Sequence, residues 1–467
     1  MSLTSLSSAC RSVCSILVCV VCIGLSRAQD VVQSIPKEVF SWGGALRWRY
    51  EYNNRNGTFN GDRGAEDTAS GFLRIRTRLW GQLKHDKWTA HLQLGNEFRH
   101  YLFRENLKGR RRFPDQLYID QLWVRYEELF DFLDVKIGRQ GLLDVGSQRL
   151  FSEGTPADGS RSNFFDAVRL TANFDDRKRQ LEVIGLMIAH HDWLPTWGHQ
   201  HLARGCVPGC SPYDYSGANH RELGLVLYWR DRSNEHFPWE VYAIWKQEEG
   251  AYSTAIARES KVAPRFNTYT GGFRLLPKFS DNVSGELEVA LQTGDNHLFA
   301  AMAYGALSWK LPEWEGTPLL KAGLYGLTGD TDGTRGHHAW HALFNRSANL
   351  GDVVSSLYPN LDHNNILYPH LALSLLPAEA THAIDWEFGP LLAPARERDA
   401  YGHTGPMRGW LLRMTWNMHV DKLLDVPELK GLEFLVAGDF LYQGNYFPES
   451  GRDDLSSALL VEFRYTF

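Results

Sequence analysis

The sequence predicts an all-β fold, a transmembrane antiparallel β-barrel of about eighteen strands with long extracellular loops and short periplasmic turns. Three observations carry that expectation. Apolar and polar residues alternate in segments of about ten residues along most of the chain. Aromatic residues make up 13% of its 467 residues, including 16 Trp, 19 Tyr and 24 Phe, yet the mean hydropathy is only −0.35. The chain also stops on a segment whose alternate residues Leu459, Val461, Phe463, Tyr465 and Phe467 are all apolar.

The N-terminus comes first. Residues 1–28 read as a signal peptide, with Arg11 in a weakly basic leader, an apolar run over 13–25, and Ser26-Arg27-Ala28 as a small-residue cleavage site after Ala28. The run is short for a membrane-spanning helix. Cleavage removes two arginines and no acid, so the mature chain, 29–467, is two units more negative than the full-length charge of −6. It also removes Cys10, Cys14, Cys19 and Cys22. Cys206 and Cys210 remain, and in an oxidising compartment the expectation is one small disulfide within a loop. His199 and His201 lie just upstream. With no carboxylate nearby, a metal site is not expected there, nor is any cofactor.

The strands follow. In the first, Leu46, Trp48, Tyr50 and Tyr52 share one face, and Arg47, Arg49 and Glu51 the other. In the second, Leu73, Ile75, Thr77 and Leu79 oppose Arg74, Arg76 and Arg78. The same two-residue period places Leu92 opposite His91, Val124 opposite Arg125, Ile137 opposite Lys136, Val168 opposite Arg169, Leu227 opposite Arg230, Val289 opposite Glu288, and Leu412 opposite Arg413. Polar faces rich in Arg and Glu, set against apolar faces ending in Trp or Tyr, match a wet lumen with aromatic girdles. Connections alternate in length. Short turns are expected at 127–131, 175–178 and 231–237. Long loops rich in Gly, Pro, Asn and Asp are expected at 53–70, 105–115, 142–163, 192–220 and 330–364. The last strand, ending in Phe467, has the pattern read by the outer-membrane barrel assembly machinery. The cell outer membrane, with its lipid as solvent, is therefore expected.

Enzyme signatures are missing from the sequence. There is no H-E-x-x-H, no G-x-S-x-G and no Gly-rich phosphate loop. His190-His191-Asp192 and His337-His338 lack a positioned nucleophile, so no catalysis is expected, and no nucleic-acid partner. The informative residues are the inward arginines. Arg74, Arg76 and Arg78 share one face of one strand beside Arg47 and Arg49, while Arg125, Arg169 and Arg413 add charge from other strands. The guanidinium fork grips carboxylates with two parallel hydrogen bonds, and in a narrow pore such a ladder concentrates anions. The alternative is that each Arg pairs with a facing acid and braces the wall.

Ile137-Gly138-Arg139-Gln140, Gly146-Ser147-Gln148-Arg149-Leu150 and Phe165-Asp166-Ala167-Val168-Arg169-Leu170 together resemble the alginate export porin family. Thr328-Gly329-Asp330, Leu343-Phe344, Gly438-Asp439-Phe440 and the closing Phe463-Arg464-Tyr465-Thr466-Phe467 extend the resemblance from about residue 40 to the end. It implies an eighteen-stranded monomer with an electropositive constriction that passes a polyuronate, and long loops acting as plugs. It also implies Arg74, Arg125, Arg139, Arg149 and Arg169 along the pathway, with Asp166 as a partner. The Cys206/Cys210 loop departs from the family pattern. The expected function is thus a channel for an anionic, alginate-like polysaccharide or a similar acidic solute. The alternative is a general or small-solute porin for sugars or organic acids.

Overall fold

Strands with one apolar and one polar face, joined by turns of a few residues, bury their edges by closing one sheet on itself. The computed structural model describes residues 39–54, 70–103, 116–151, 165–188, 194, 196–197, 221–249, 265–330, 337–345, 350–351, 353–354, 364–375, 381–395, 405–446 and 455–467. The expected signal peptide, Cys206, Cys210, His190, His191, His199 and His201 lie outside the described residues.

The strands are β1 (Phe40–Asn54), β2 (Ser70–His85), β3 (Trp88–Phe103), β4 (Gln116–Leu129), β5 (Leu133–Gln140), β6 (Phe165–Phe174) and β7 (Arg179–Ile188). They continue with β8 (Thr196–Trp197), β9 (Arg221–Asp231), β10 (Trp239–Glu249), β11 (Arg265–Leu275), β12 (Val283–Gly294) and β13 (Leu298–Lys310). The last are β14 (Leu319–Leu327), β15 (Ile366–Leu375), β16 (His382–Leu392), β17 (Met407–His419), β18 (Leu432–Gln443) and β19 (Leu455–Thr466). β8 is a two-residue piece pairing with Leu117 and Tyr118 of β4. The other strands form the wall of a closed, eighteen-stranded antiparallel barrel, in which β7 pairs directly with β9 and β19 pairs with β1.

The seam closes at the chain end. Gly44 and Phe467 exchange backbone hydrogen bonds of 3.0 and 3.1 Å, and the Phe467 ring sits edge-on to Trp42 at 6.1 Å. The short turns fall on one rim as expected. Glu128, Phe130 and Asp131, and then Asp175, Asp176 and Arg177, take positive φ to reverse the chain within a few residues. The strand ends from which the long connections leave are at the opposite rim, because each strand runs antiparallel to its neighbours.

The outward face is apolar. Leu73, Leu92, Ile137, Leu227, Val289 and Leu324 are all exposed on it. Near the short-turn rim, aromatic pairs from adjacent strands line up: Trp88 with Tyr126 at 4.7 Å, Phe174 with Trp229 at 6.0 Å, and Phe434 with Phe463 at 4.7 Å. An apolar band ending in such a girdle is a lipid-facing surface.

The expectation of a polar lumen needs correction, because the hydrophobic core lies inside the barrel. Leu142, Val145, Leu150 and Phe151 of the β5–β6 connection are buried with Trp340, Leu343, Phe344 and Val353 of the β14–β15 connection. They pack on inward Phe165, Val226, Ile244 and Met302. Phe151 and Phe344 stack with centroids 5.6 Å apart and their chains bridge. β9 is therefore apolar on both faces, with Leu225 and Leu227 outward and Val226 and Tyr228 inward. Each such side chain contributes roughly 1.5–3 kcal/mol on burial, which lets the described parts of two loops pack inside the barrel as a plug.

Candidate functional site

The plug is tied to the wall by charge as well as by packing. Lys246 of β10 donates to the carbonyls of Ala342 at 3.1 Å and Leu343 at 2.9 Å, and pairs with Glu248 at 2.7 Å and Glu222 at 3.5 Å. Gln292 donates to the His341 carbonyl at 2.8 Å and accepts from its amide at 2.9 Å. Farther along the same connection, Gly351 has φ +88°, and a Cβ there would lie 2.3 Å from a carboxylate oxygen of Asp439. The β14–β15 connection thus reaches from the β10–β12 wall to the β17–β18 wall. His337 bonds Asp330 through Nδ1 at 2.9 Å, and His338 meets the Phe299 carbonyl at 3.1 Å, so both serve this loop's conformation.

Each arginine singled out from the sequence faces the interior. Arg47 donates to Glu97 at 3.2 Å. Arg49 donates to Glu462 at 2.6 Å and Glu51 at 3.4 Å. Arg74 reaches Glu51 at 3.2 Å and Glu97 at 3.7 Å. Arg76 is buried and sits in register with Glu97 on β3 and Arg47 on β1. These residues form one charged belt across β19, β1, β2 and β3. Arg139 is enclosed against Asp166, with its Nη1 also donating to the Ile119 carbonyl at 3.0 Å.

Four arginines keep more contact with the open lumen or belong to the plug. Arg78 pairs with Asp120 at 2.9 Å and its side chain is 23% exposed. Arg125 pairs with Asp134 at 2.7 Å and is 34% exposed. Arg413 pairs with Glu387 at 3.2 Å and is 32% exposed. Arg149 rides on the β5–β6 plug segment, bonded to Glu288 at 2.7 Å and to Glu286, with its guanidinium 3.9 Å from the Tyr304 ring centroid. Burial pushes the Arg149 guanidinium down, but Glu288 and Glu286 more than reverse this and hold it above its ordinary range.

The same segment carries Asp144. Arg169 holds Asp144 with Nη1 at 3.0 Å and Nη2 at 2.8 Å, and also bonds Glu182 at 2.9 Å. Burial pushes the Asp144 carboxyl up, and the Arg169 hydrogen bond and charge outweigh it, leaving the group below the usual carboxylate range. Beneath this segment, toward the short-turn rim, lies a cavity of about 450 Å³. Its lining contains six cationic side chains, Arg125, Lys136, Arg169, Arg177, Arg230 and Arg232, against three carboxylates, Asp134, Asp144 and Glu182.

Sequence reasoning missed several of these groups. Asp120 sits at a bulge where β4 loses register with β3 between Gln93 and Leu94, and no two-residue pattern marks it. Arg177 and Arg232 stand in turns, where alternation assigns no face. Lys246 lies on the inward face of β10 with Glu240, Tyr242, Ile244 and Glu248, a mixed face whose alternation does not single it out.

Comparison with solved structures places this architecture. The chain aligns with the outer membrane protein OpdK of Pseudomonas aeruginosa at TM-score 0.56 and 10% identity, over 91% of this chain and 99% of that one. Acinetobacter baumannii OccAB3 gives the same values. OpdK solved with vanillate gives 0.55 and 11%, again over 91% and 99%. The chain has the fold of these barrels. No protein-family model matches it, and no curated sequence matches it.

Proposed function

We propose that the protein is an outer-membrane channel for small acidic solutes, with a plugged lumen that favours anions. The observation that carries this reading is the cationic cavity directly beneath the plug, where six cations meet three carboxylates. Arg125 lines that cavity, and Arg78 and Arg413 are partly exposed on other parts of the inner wall. In a confined, low-dielectric passage such an excess raises the local anion concentration. A neighbour in fold, OpdK, has been solved with vanillate, an aromatic carboxylate, which supports a small organic acid as the solute class.

An anionic polysaccharide such as alginate remains the second reading, favoured by the continuous charged belt of Arg47, Arg49, Arg74 and Arg76. A polymer occupies the whole lumen length, so both plug segments must swing clear for it, against the packing of Phe151 on Phe344 and the Lys246 anchor. A small acid needs only a gap beside them. Chain end, lipid contact and assembly follow the same reading: Phe467 closes the seam and serves as the assembly signal, and the barrel works as a monomer.

Liposome uptake separates the possibilities. Proteoliposomes should take up small mono- and dicarboxylates faster than neutral sugars of equal size. Equal rates for both would make the protein a general porin. Uptake of oligouronates in preference to small acids would restore the polysaccharide reading.

A further inference from the structure

We infer that the cavity beneath the plug is a binding site for a small dicarboxylate, and that Asp144 occupies part of it as an internal stand-in for one ligand carboxylate. The use of the site in transport rests on the channel reading, but its chemistry does not.

The geometry supports the substitution. Arg169 grips the Asp144 carboxylate with both terminal nitrogens, at 3.0 and 2.8 Å, which is the way an arginine takes an incoming carboxylate. The Asp144 side chain is 65% exposed, so a solute can reach it and exchange with it. Asp144 belongs to the plug segment, and its carbonyl also accepts from Arg230 Nη2 at 2.9 Å. The lining itself carries three more cations than carboxylates, and Glu127, Glu128 and Glu240 pair with Arg125, Arg177 and Arg230 from just outside it. Two of those cations, Arg177 and Arg232, come from the β6–β7 and β9–β10 turns and stand at the mouth. One ligand carboxylate would replace Asp144 on Arg169, and the second would meet the turn arginines. The volume, about 450 Å³, lies within the roughly 300–1,000 Å³ of ordinary small-molecule sites.

A consequence follows for the plug. Displacing Asp144 releases the 142–145 segment from Arg169, so binding and plug release are coupled in both directions. The solute then helps to open its own path from the short-turn side.

The test is calorimetric titration of the folded, detergent-solubilised full barrel with succinate at low salt, with acetate and sulfate as controls. Succinate should bind more tightly than either control, and binding should weaken as salt screens the charges. Asp144→Asn removes the internal competitor and should tighten succinate binding by about fivefold or more. Arg177→Gln with Arg232→Gln, both in exposed turns, should weaken it by about tenfold. Unchanged or weaker affinity in Asp144→Asn overturns the proposal, and so does a succinate signal no stronger than that of acetate. Conductance recorded on the same preparations separates the two readings. Anion-selective conduction without succinate binding removes the site and leaves the channel. Succinate binding in a barrel that does not conduct removes the channel and leaves the site.

Discussion

Arg139 of β5 and Asp166 of β6 face each other across the ladder and join by two hydrogen bonds, Nε to Oδ1 at 3.0 Å and Nη2 to Oδ2 at 3.3 Å. Arg139 is 1% exposed. The pair stands where the resemblance placed a pathway arginine and its partner, and its enclosure makes it a brace of the wall. Removing one member strands a buried charge, at a cost of about 3–5 kcal/mol. Arg139→Ala should lower the urea midpoint of the refolded barrel clearly, whereas Arg139→Leu with Asp166→Leu should recover most of the loss. Equal midpoints for the wild type and Arg139→Ala would show that the pair bears no load.

Gly138 precedes Arg139 on β5 in a backbone conformation that favours glycine. Its φ is +123°, and a Cβ there would lie 2.2 Å from the Leu122 carbonyl oxygen. Gly138→Ala should destabilise the barrel by about 1–3 kcal/mol through backbone strain, and further by pushing β5 from β4. Gly185 has open space around its Cβ direction, so Gly185→Ala serves as the neutral control in the same unfolding assay.

Lys246 anchors the plug through two carbonyls of the β14–β15 connection. Lys246→Ala should leave the barrel assembled, as judged by heat-modifiable migration on gels, and should raise mean single-channel conductance and current noise. Current indistinguishable from the wild type would mean that Phe344 and its neighbours hold the plug unaided.

Acid should loosen the other plug segment. The folded-state pKa of Asp144 is depressed, so its tie to Arg169 is present above the unfolded value and is lost as pH falls through the folded one. The side chain is largely exposed, so screening keeps the effect small. Arg169, Glu182, Lys136 and Arg230 surround it. As pH falls below the ordinary carboxylate range, the open fraction of the proposed channel should rise in the wild type. In Asp144→Asn it should be high already and change less. Parallel pH profiles would remove Asp144 from the mechanism.

The barrel was legible in the sequence because alternation states directly which residues face lipid: Leu73 against Arg74, and Val168 against Arg169. The end of the chain was legible too, and Phe467 does close the seam. The plug was half legible. The resemblance implied inward loops, but nothing in 142–151 or 337–345 says where those residues pack, since their apolar partners lie on strands that also need apolar outer faces. The arginines were found and their settings were not. Partners such as Glu97, Glu462 and Asp120 come from strand register and from a bulge, and a two-residue period fixes neither. The cavity was the least visible feature, because Arg177 and Arg232 come from turns and Asp144 from a loop on the opposite rim.

The central claim, a lumen that favours anions, is tested most directly by the reversal potential of the purified protein in a planar bilayer under a tenfold KCl gradient. A potential displaced toward the chloride equilibrium value is expected, and it should shrink when Arg78, Arg125 and Arg413 are replaced together by Ala. A potential on the potassium side in the unmodified protein would contradict it.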